Sequence, residues 1–165
     1  MTLRVPPRKI LSQLPHLLLA VWIFSLAACA HEPASPPQND LVGAWQAGDY
    51  LLKTGRAHKV NGHIFFAEKD WTVLFFVMDE NGQPARGSAE GGVYSTAGDS
   101  LTFRHLHHLS QGNAIGTLPE SPLRMETKSL SEAASEPCRF EIHDDQLTLF
   151  FPSGNRMTFT KSAAN

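Results

Sequence analysis

Cysteine is nearly missing from this 165-residue chain, which has only Cys29 and Cys138. Only Cys138 lies in the part that reads as globular, so that part has no internal disulfide and an apolar core has to hold the fold. A long hydrophobic run is missing as well. Leu17 to Ala28 is apolar apart from Ser25, but those twelve residues, at about 1.5 Å each, reach only ~18 Å into a ~30 Å hydrocarbon layer, too little for a spanning helix. Helical periodicity is hard to find between residues 40 and 161. There is no Gly-x-Ser-x-Gly elbow, no His-Glu-x-x-His and no Cys-x-x-Cys, so no catalytic residue is assigned and an enzyme is not expected. The glycine-rich stretch at 87–92, GSAEGG, lacks the Lys-Ser/Thr of a phosphate loop and reads as the flexible start of a strand.

The amino terminus carries Arg4, Arg8 and Lys9 with no acid, followed by the apolar run. This is the layout of a secretory signal. Leu26-Ala27-Ala28-Cys29 closes the run and resembles the lipobox of bacterial lipoproteins. The resemblance implies cleavage before Cys29, diacylglycerol on its sulfur and a third acyl chain on the new amino group. At about 0.8 kcal/mol per buried methylene, several chains hold a protein to a membrane that one would let go. Ala30, where an inner-membrane signal would have Asp, favours the outer membrane facing the periplasm if the host is Gram-negative. Residues 1–28 are thus expected to be the signal peptide. Residues 29–39, with three prolines and no large apolar side chain, are the lipidated cysteine and tether. Residues 40–162 form one domain.

Loss of residues 1–28 leaves 11 basic side chains against 16 acidic ones, a net charge of −5. With no basic cluster to displace counterions from phosphates, nucleic acid is not expected as a partner. β-favouring runs separated by turn signals recur about every ten residues through the domain. The turn signals are Glu80-Asn81-Gly82, Gly98-Asp99, Asp144-Asp145 and Pro152-Ser153-Gly154-Asn155. Eight or nine strands joined by short turns predict an all-β fold, a small up-and-down antiparallel barrel, with a two-sheet sandwich as the alternative.

Gly43-Ala44-Trp45 at the start of the first strand resembles the Gly-x-Trp opening of lipocalins and of bacterial lipocalin-like domains, and the hairpins at 91–103 and 144–161 resemble their closing ones. The resemblance implies that Trp45 packs across the closed end of the barrel under a basic side chain from the last strand, Lys161 or Arg156. It also implies a small apolar or amphipathic ligand, for which Trp71, Phe75 and Phe103 are candidate wall residues.

Strand alternation assigns faces. Cys138, Phe140 and Ile142 share the inner one, which makes Cys138 a buried, inert thiol. In the fifth run Leu101, Phe103, His105, His107 and Leu109 are expected to point inward, with His105 and His107 as polar contacts for a ligand. Those two histidines are also where a zinc site would begin. A third ligand from His63, His143 or a carboxylate has no marker in the sequence, so no cofactor is expected. Residues 110–120 form the longest irregular connection, a lid or a plain surface loop. Nine phenylalanines in the domain make a filled barrel the alternative, acting as a structural or protein-interaction module. The third run, 71–78, is apolar on both faces, so one face is expected to be covered by something other than the lumen, such as an envelope protein partner.

Overall fold

In the computed structural model, residues 40–163 are described. The expected signal, Cys29 and tether lie outside them. Nine strands follow one another: β1 (Gly43–Leu51), β2 (Ala57–Phe66), β3 (Asp70–Met78), β4 (Pro84–Ala97), β5 (Ser100–Gly112), β6 (Ser121–Thr127), β7 (Ser135–His143), β8 (Gln146–Phe150) and β9 (Arg156–Lys161). Each pairs antiparallel with its neighbours, in the order β4-β3-β2-β1-β9-β8-β7-β5, and β4 pairs with β5 to complete the cycle. The fold is therefore a closed eight-stranded meander, with β6 as an excursion between β5 and β7. Closure satisfies every ring strand on both edges. The turns have the chemistry that the sequence signalled, since Gly82, Gly98, Asp144 and Gly154 all adopt positive φ.

Strand β5 is long enough to serve two partners on one edge. Ser100 to Arg104 pair with β7, and His107 to Gly112 pair with β6. Between the two lies a bulge, where the β4–β5 register slips from Gly92 opposite His105 to Gly91 opposite His107, leaving Leu106 as the extra residue. A bulge reverses the side-chain alternation downstream of it. His105 stays on the inner face with Leu101 and Phe103, whereas His107 and Leu109 are exposed on the outside and His108 turns in. The expectation that His107 and Leu109 share the inner face is thus corrected. Gly92 makes the bulge possible, because a Cβ there would lie 1.9 Å from the Arg104 carbonyl oxygen.

Strand β4 begins at Pro84, seven residues before the expected Gly91, so GSAEGG lies inside a strand. The missing side chains are replaced from β3, where the Phe76 ring lies over Gly87, 3.2 Å from where a Cβ would sit. The core is one cluster inside the ring, with Trp45, Leu101, Phe140, Leu147 and Leu149 fully buried. On β3, Trp71, Val73 and Val77 are buried inside while Leu74 is 50% exposed outside. No described residue covers that outer face, which continues through Phe76, Leu109, Leu123 and Met125, all exposed.

Candidate functional site

The two ends of the barrel are built differently. At the end where β1 begins and β9 finishes, Trp45 is fully buried and its indole Nε1 donates to the Leu41 carbonyl at 2.7 Å. The Lys161 ammonium lies 5.1 Å from the Trp45 ring centroid, and Gly43 at φ 131° lets the chain enter beneath the lysine side chain. Phe66 and Tyr94 stack edge to face there at 5.1 Å, and the Tyr94 hydroxyl donates to the Ala67 carbonyl. Apolar side chains close this end.

Toward the other end the lumen opens into a cavity of about 790 Å³, within the ~300–1,000 Å³ usual for small-molecule sites. The interior is therefore not filled. Of the nine phenylalanines, Phe65 and Phe76 sit on the outer face, exposed, and Phe150 lies under the Arg139 guanidinium, 3.9 Å from it, on the same face. The remainder do not suffice to fill an eight-stranded ring.

The cavity has two chemically distinct walls. One is apolar, with Ile64, Trp71, Val73, Phe75, Phe103 and Phe159. Trp71 and Phe103 are in ring contact with centroids 4.5 Å apart. The other wall is polar and comes from the inner faces of β4, β5 and β7, with Ser88, Glu90, His105, His108, Ser110 and Glu136. His105 occupies its middle. Its Nδ1 is 2.8 Å from Glu90 Oε2 and its Nε2 is 3.0 Å from Glu136 Oε2. A neutral imidazole has one N–H, so bonding to two ionised carboxylates requires the imidazolium. The hydrogen bonds that His105 donates to Glu136 and Glu90 raise its pKa to about 9, burial opposing them only in part. Burial pushes the Glu90 carboxyl up, but the hydrogen bonds from His105 and Ser88, together with the nearby imidazole charge, hold it below the usual carboxylate value. Trp71 meets His105 edge to face at 5.1 Å.

Each partner of His105 is placed by its own strand. Glu90 sits opposite Val73 on β4 and Glu136 opposite Phe103 on β7. The β6–β7 connection that delivers Glu136 is held by the Arg104 guanidinium, which donates to the Leu130 and Ala133 carbonyls. His108 completes the row, with Nε2 2.8 Å from Ser110 Oγ and Nδ1 3.5 Å from Glu90 Oε1. The carboxylates flank His105 on opposite ring nitrogens instead of converging on one point. Among the described residues no group of three or more His, Cys, Asp or Glu side chains is arranged to hold a metal ion, and His107, outside the barrel, reaches only Thr127 Oγ1 at 3.5 Å. Cys138 is buried, and desolvation followed by the Glu136 charge pushes its thiol up to about 12, leaving it unreactive.

Over the mouth lies the connection at 113–120. It folds back on itself through an Ile115–Leu118 bridge, and Arg86 donates to the Asn113 and Pro119 carbonyls. Leu118 lines the cavity while Ile115 packs on the core. The expected irregular connection is shorter than 110–120, because Ser110 to Gly112 extend β5, and what remains forms a cap that borders the cavity through Leu118.

The structure thus gathers Trp71, Phe75, Phe103 and His105 around one cavity and leaves His107 out. Sequence reasoning missed Glu90, Glu136 and Arg86. The signal for Glu136 was present, since it stands two residues before Cys138 on the face already read as inner. Glu90 likewise follows from Tyr94 by alternation, once GSAEGG is taken as strand.

No protein-family model matches the chain, and no curated protein matches it. Solved structures resemble it, two of them from Bacteroides. One is a lipocalin-like protein from Bacteroides uniformis, 16% identical, covering 74% of this chain and 99% of its own, with a TM-score of 0.46. The other is an uncharacterized protein from Bacteroides eggerthii, 16% identical, covering 74% of this chain and all of its own, also with a TM-score of 0.46.

Proposed function

We propose that this chain is a cell-envelope lipoprotein, anchored through acylated Cys29, whose barrel binds or carries a small amphipathic molecule in its lumen. The observation that carries the reading is the two-walled cavity of about 790 Å³. An apolar body would lie against Trp71, Phe75 and Phe103, and a polar group would be oriented by His105 and its carboxylates. Residues 1–28 would be removed as the signal and 29–39 would serve as tether, with the outer membrane, facing the periplasm, as the destination in a Gram-negative host.

Native mass spectrometry of residues 30–165 purified from cell extract tests the barrel's part. A bound mass of a few hundred daltons supports the reading, and an apo protein that takes up no fluorescent amphiphile overturns it. Intact mass of the membrane-extracted protein tests the anchor. A chain beginning at Cys29 and heavier by its acyl groups is expected, and an unmodified thiol at Cys29 would refute the lipoprotein reading.

A second reading rests on the uncovered outer face at Leu74, Phe76, Leu109, Leu123 and Met125, which suits an envelope protein partner. Pull-down from membranes with the wild type against an L74S/L109S double variant tests it, and a partner retained equally by both proteins speaks against this face.

A further inference from the structure

The polar wall carries an unbalanced charge, and that charge narrows the ligand class. Two carboxylates, Glu90 and Glu136, face one imidazolium, His105. The sum at the His105 cluster is one net negative charge, facing a wall of hydrocarbon and aromatic rings, where charges interact far more strongly than in water. Glu136 is the open member. Its Oε2 takes the His105 bond, its Oε1 has no hydrogen-bond partner among the described residues, and its side chain is 37% exposed beside the cavity.

His108 and Arg86 line the same cavity, Arg86 as a permanent cation at the cap. The second imidazole, His108, is bonded to Ser110 Oγ and stands 3.5 Å from Glu90 Oε1. Arg86 is four residues along β4 from Glu90, roughly 13 Å at ~3.3 Å per residue, and its guanidinium is engaged by the Asn113 and Pro119 carbonyls of the cap. Trp71 and Phe103 are in ring contact beside His105 and line the same cavity. Aromatic faces attract cations and repel carboxylates.

We infer that the lumen selects amphipathic ligands with a cationic head, an ammonium or a related group, seated beside Glu136 and against the Trp71 and Phe103 rings, and that it discriminates against carboxylate-headed lipids. The inference rests on the lumenal-binding reading above and specifies which chemistry that site accepts. A cation there would restore neutrality to the wall and give Glu136 Oε1 a donor, whereas a carboxylate would add a third negative charge within it.

The test uses residues 30–165, which contain the whole hydrogen-bonded ring and its core, and three probes of equal chain length: decylammonium, decanol and decanoate. Isothermal titration calorimetry is run at pH 8, where an ordinary imidazole is neutral and the twice-bonded His105 is still charged. Decylammonium is expected to bind at least tenfold more tightly than decanoate, with decanol between them. In E90Q/E136Q, where the cluster keeps no carboxylate and His105 loses the bonds that hold it charged at pH 8, decylammonium and decanoate should come within threefold of each other while decanol still binds. Decanoate binding as tightly as decylammonium, or a preference that E90Q/E136Q leaves intact, overturns the charge selection and leaves the lumenal site standing. Failure of all three probes to bind the wild type overturns the lumenal reading itself.

Discussion

The closed end and the open half of this barrel are made from the same strands, and they differ in what the inward positions carry. Around Trp45 those positions hold Leu101, Phe140 and Leu147, all essentially inaccessible, and the indole N–H and the Tyr94 hydroxyl are spent on the Leu41 and Ala67 carbonyls. Two or three rungs away the inward positions of β4, β5 and β7 hold Ser88, Glu90, His105 and Glu136 around empty space. Stability is concentrated where the interior is packed, and the other half is free to hold charge and volume that a core would not tolerate. Polar groups survive there because they satisfy each other in a chain, Glu90 to His105 to Glu136.

The contrast can be broken first at its packed end. W45A should cost about 3–5 kcal/mol, as truncation of a fully buried aromatic does, read as a lowered midpoint in urea. G92A strikes the junction of the two halves. A Cβ 1.9 Å from the Arg104 oxygen has to displace backbone, an overpacking cost of about 1–3 kcal/mol. It should also move His105 off Glu90, seen by NMR as a return of the His105 pKa toward the usual imidazole range.

The open half should show its own signature in pH. The folded-state pKa of His105 is raised from 6.5 to about 9, so its contribution to stability is fully present below pH 6.5 and is lost as pH rises through about 9. Urea midpoints of the wild type should fall across that window, and H105Q should be flatter. An equally steep decline in H105Q would locate the effect elsewhere. Smaller is the loss expected from K161Q, about 0.5–1 kcal/mol, since the lysine that covers Trp45 is itself exposed. Smallest is H107Q, within about 0.5 kcal/mol as for an exposed surface position and with ligand binding unchanged. A binding loss in H107Q to match that of H105Q would contradict the face reversal at Leu106.

Much of the scaffold was legible because it depends on local rules. Glycine and asparagine at the reversals, alternation in Cys138-Phe140-Ile142 and the spacing of the β-favouring runs each reflect backbone sterics or the two-residue period of a strand. Strand β4 was half hidden because its glycines carry no pattern of their own, and the Phe76 side chain that covers Gly87 comes from the neighbouring strand. The histidines were half readable for a related reason. His105-Leu106-His107-His108 gives no sign of which residue is the bulge, and a shift by one residue exchanges His107 for His108 in the lumen.

The sequence by itself determined an all-β chain of short strands joined by tight turns, the buried Cys138 and the presence of histidine on an inward-facing strand, all of which follow from neighbours within a few positions, while the burial of Trp45 was implied by the resemblance that Gly43-Ala44-Trp45 carries. Tertiary structure alone decided that the ring closes around a cavity rather than a filled core, that Leu106 is skipped, and that Glu90 and Glu136, 46 residues apart in the chain, meet the same imidazole. Those outcomes depend on strand register and on how many aromatics end up facing in, which are properties of the closed ring as a whole.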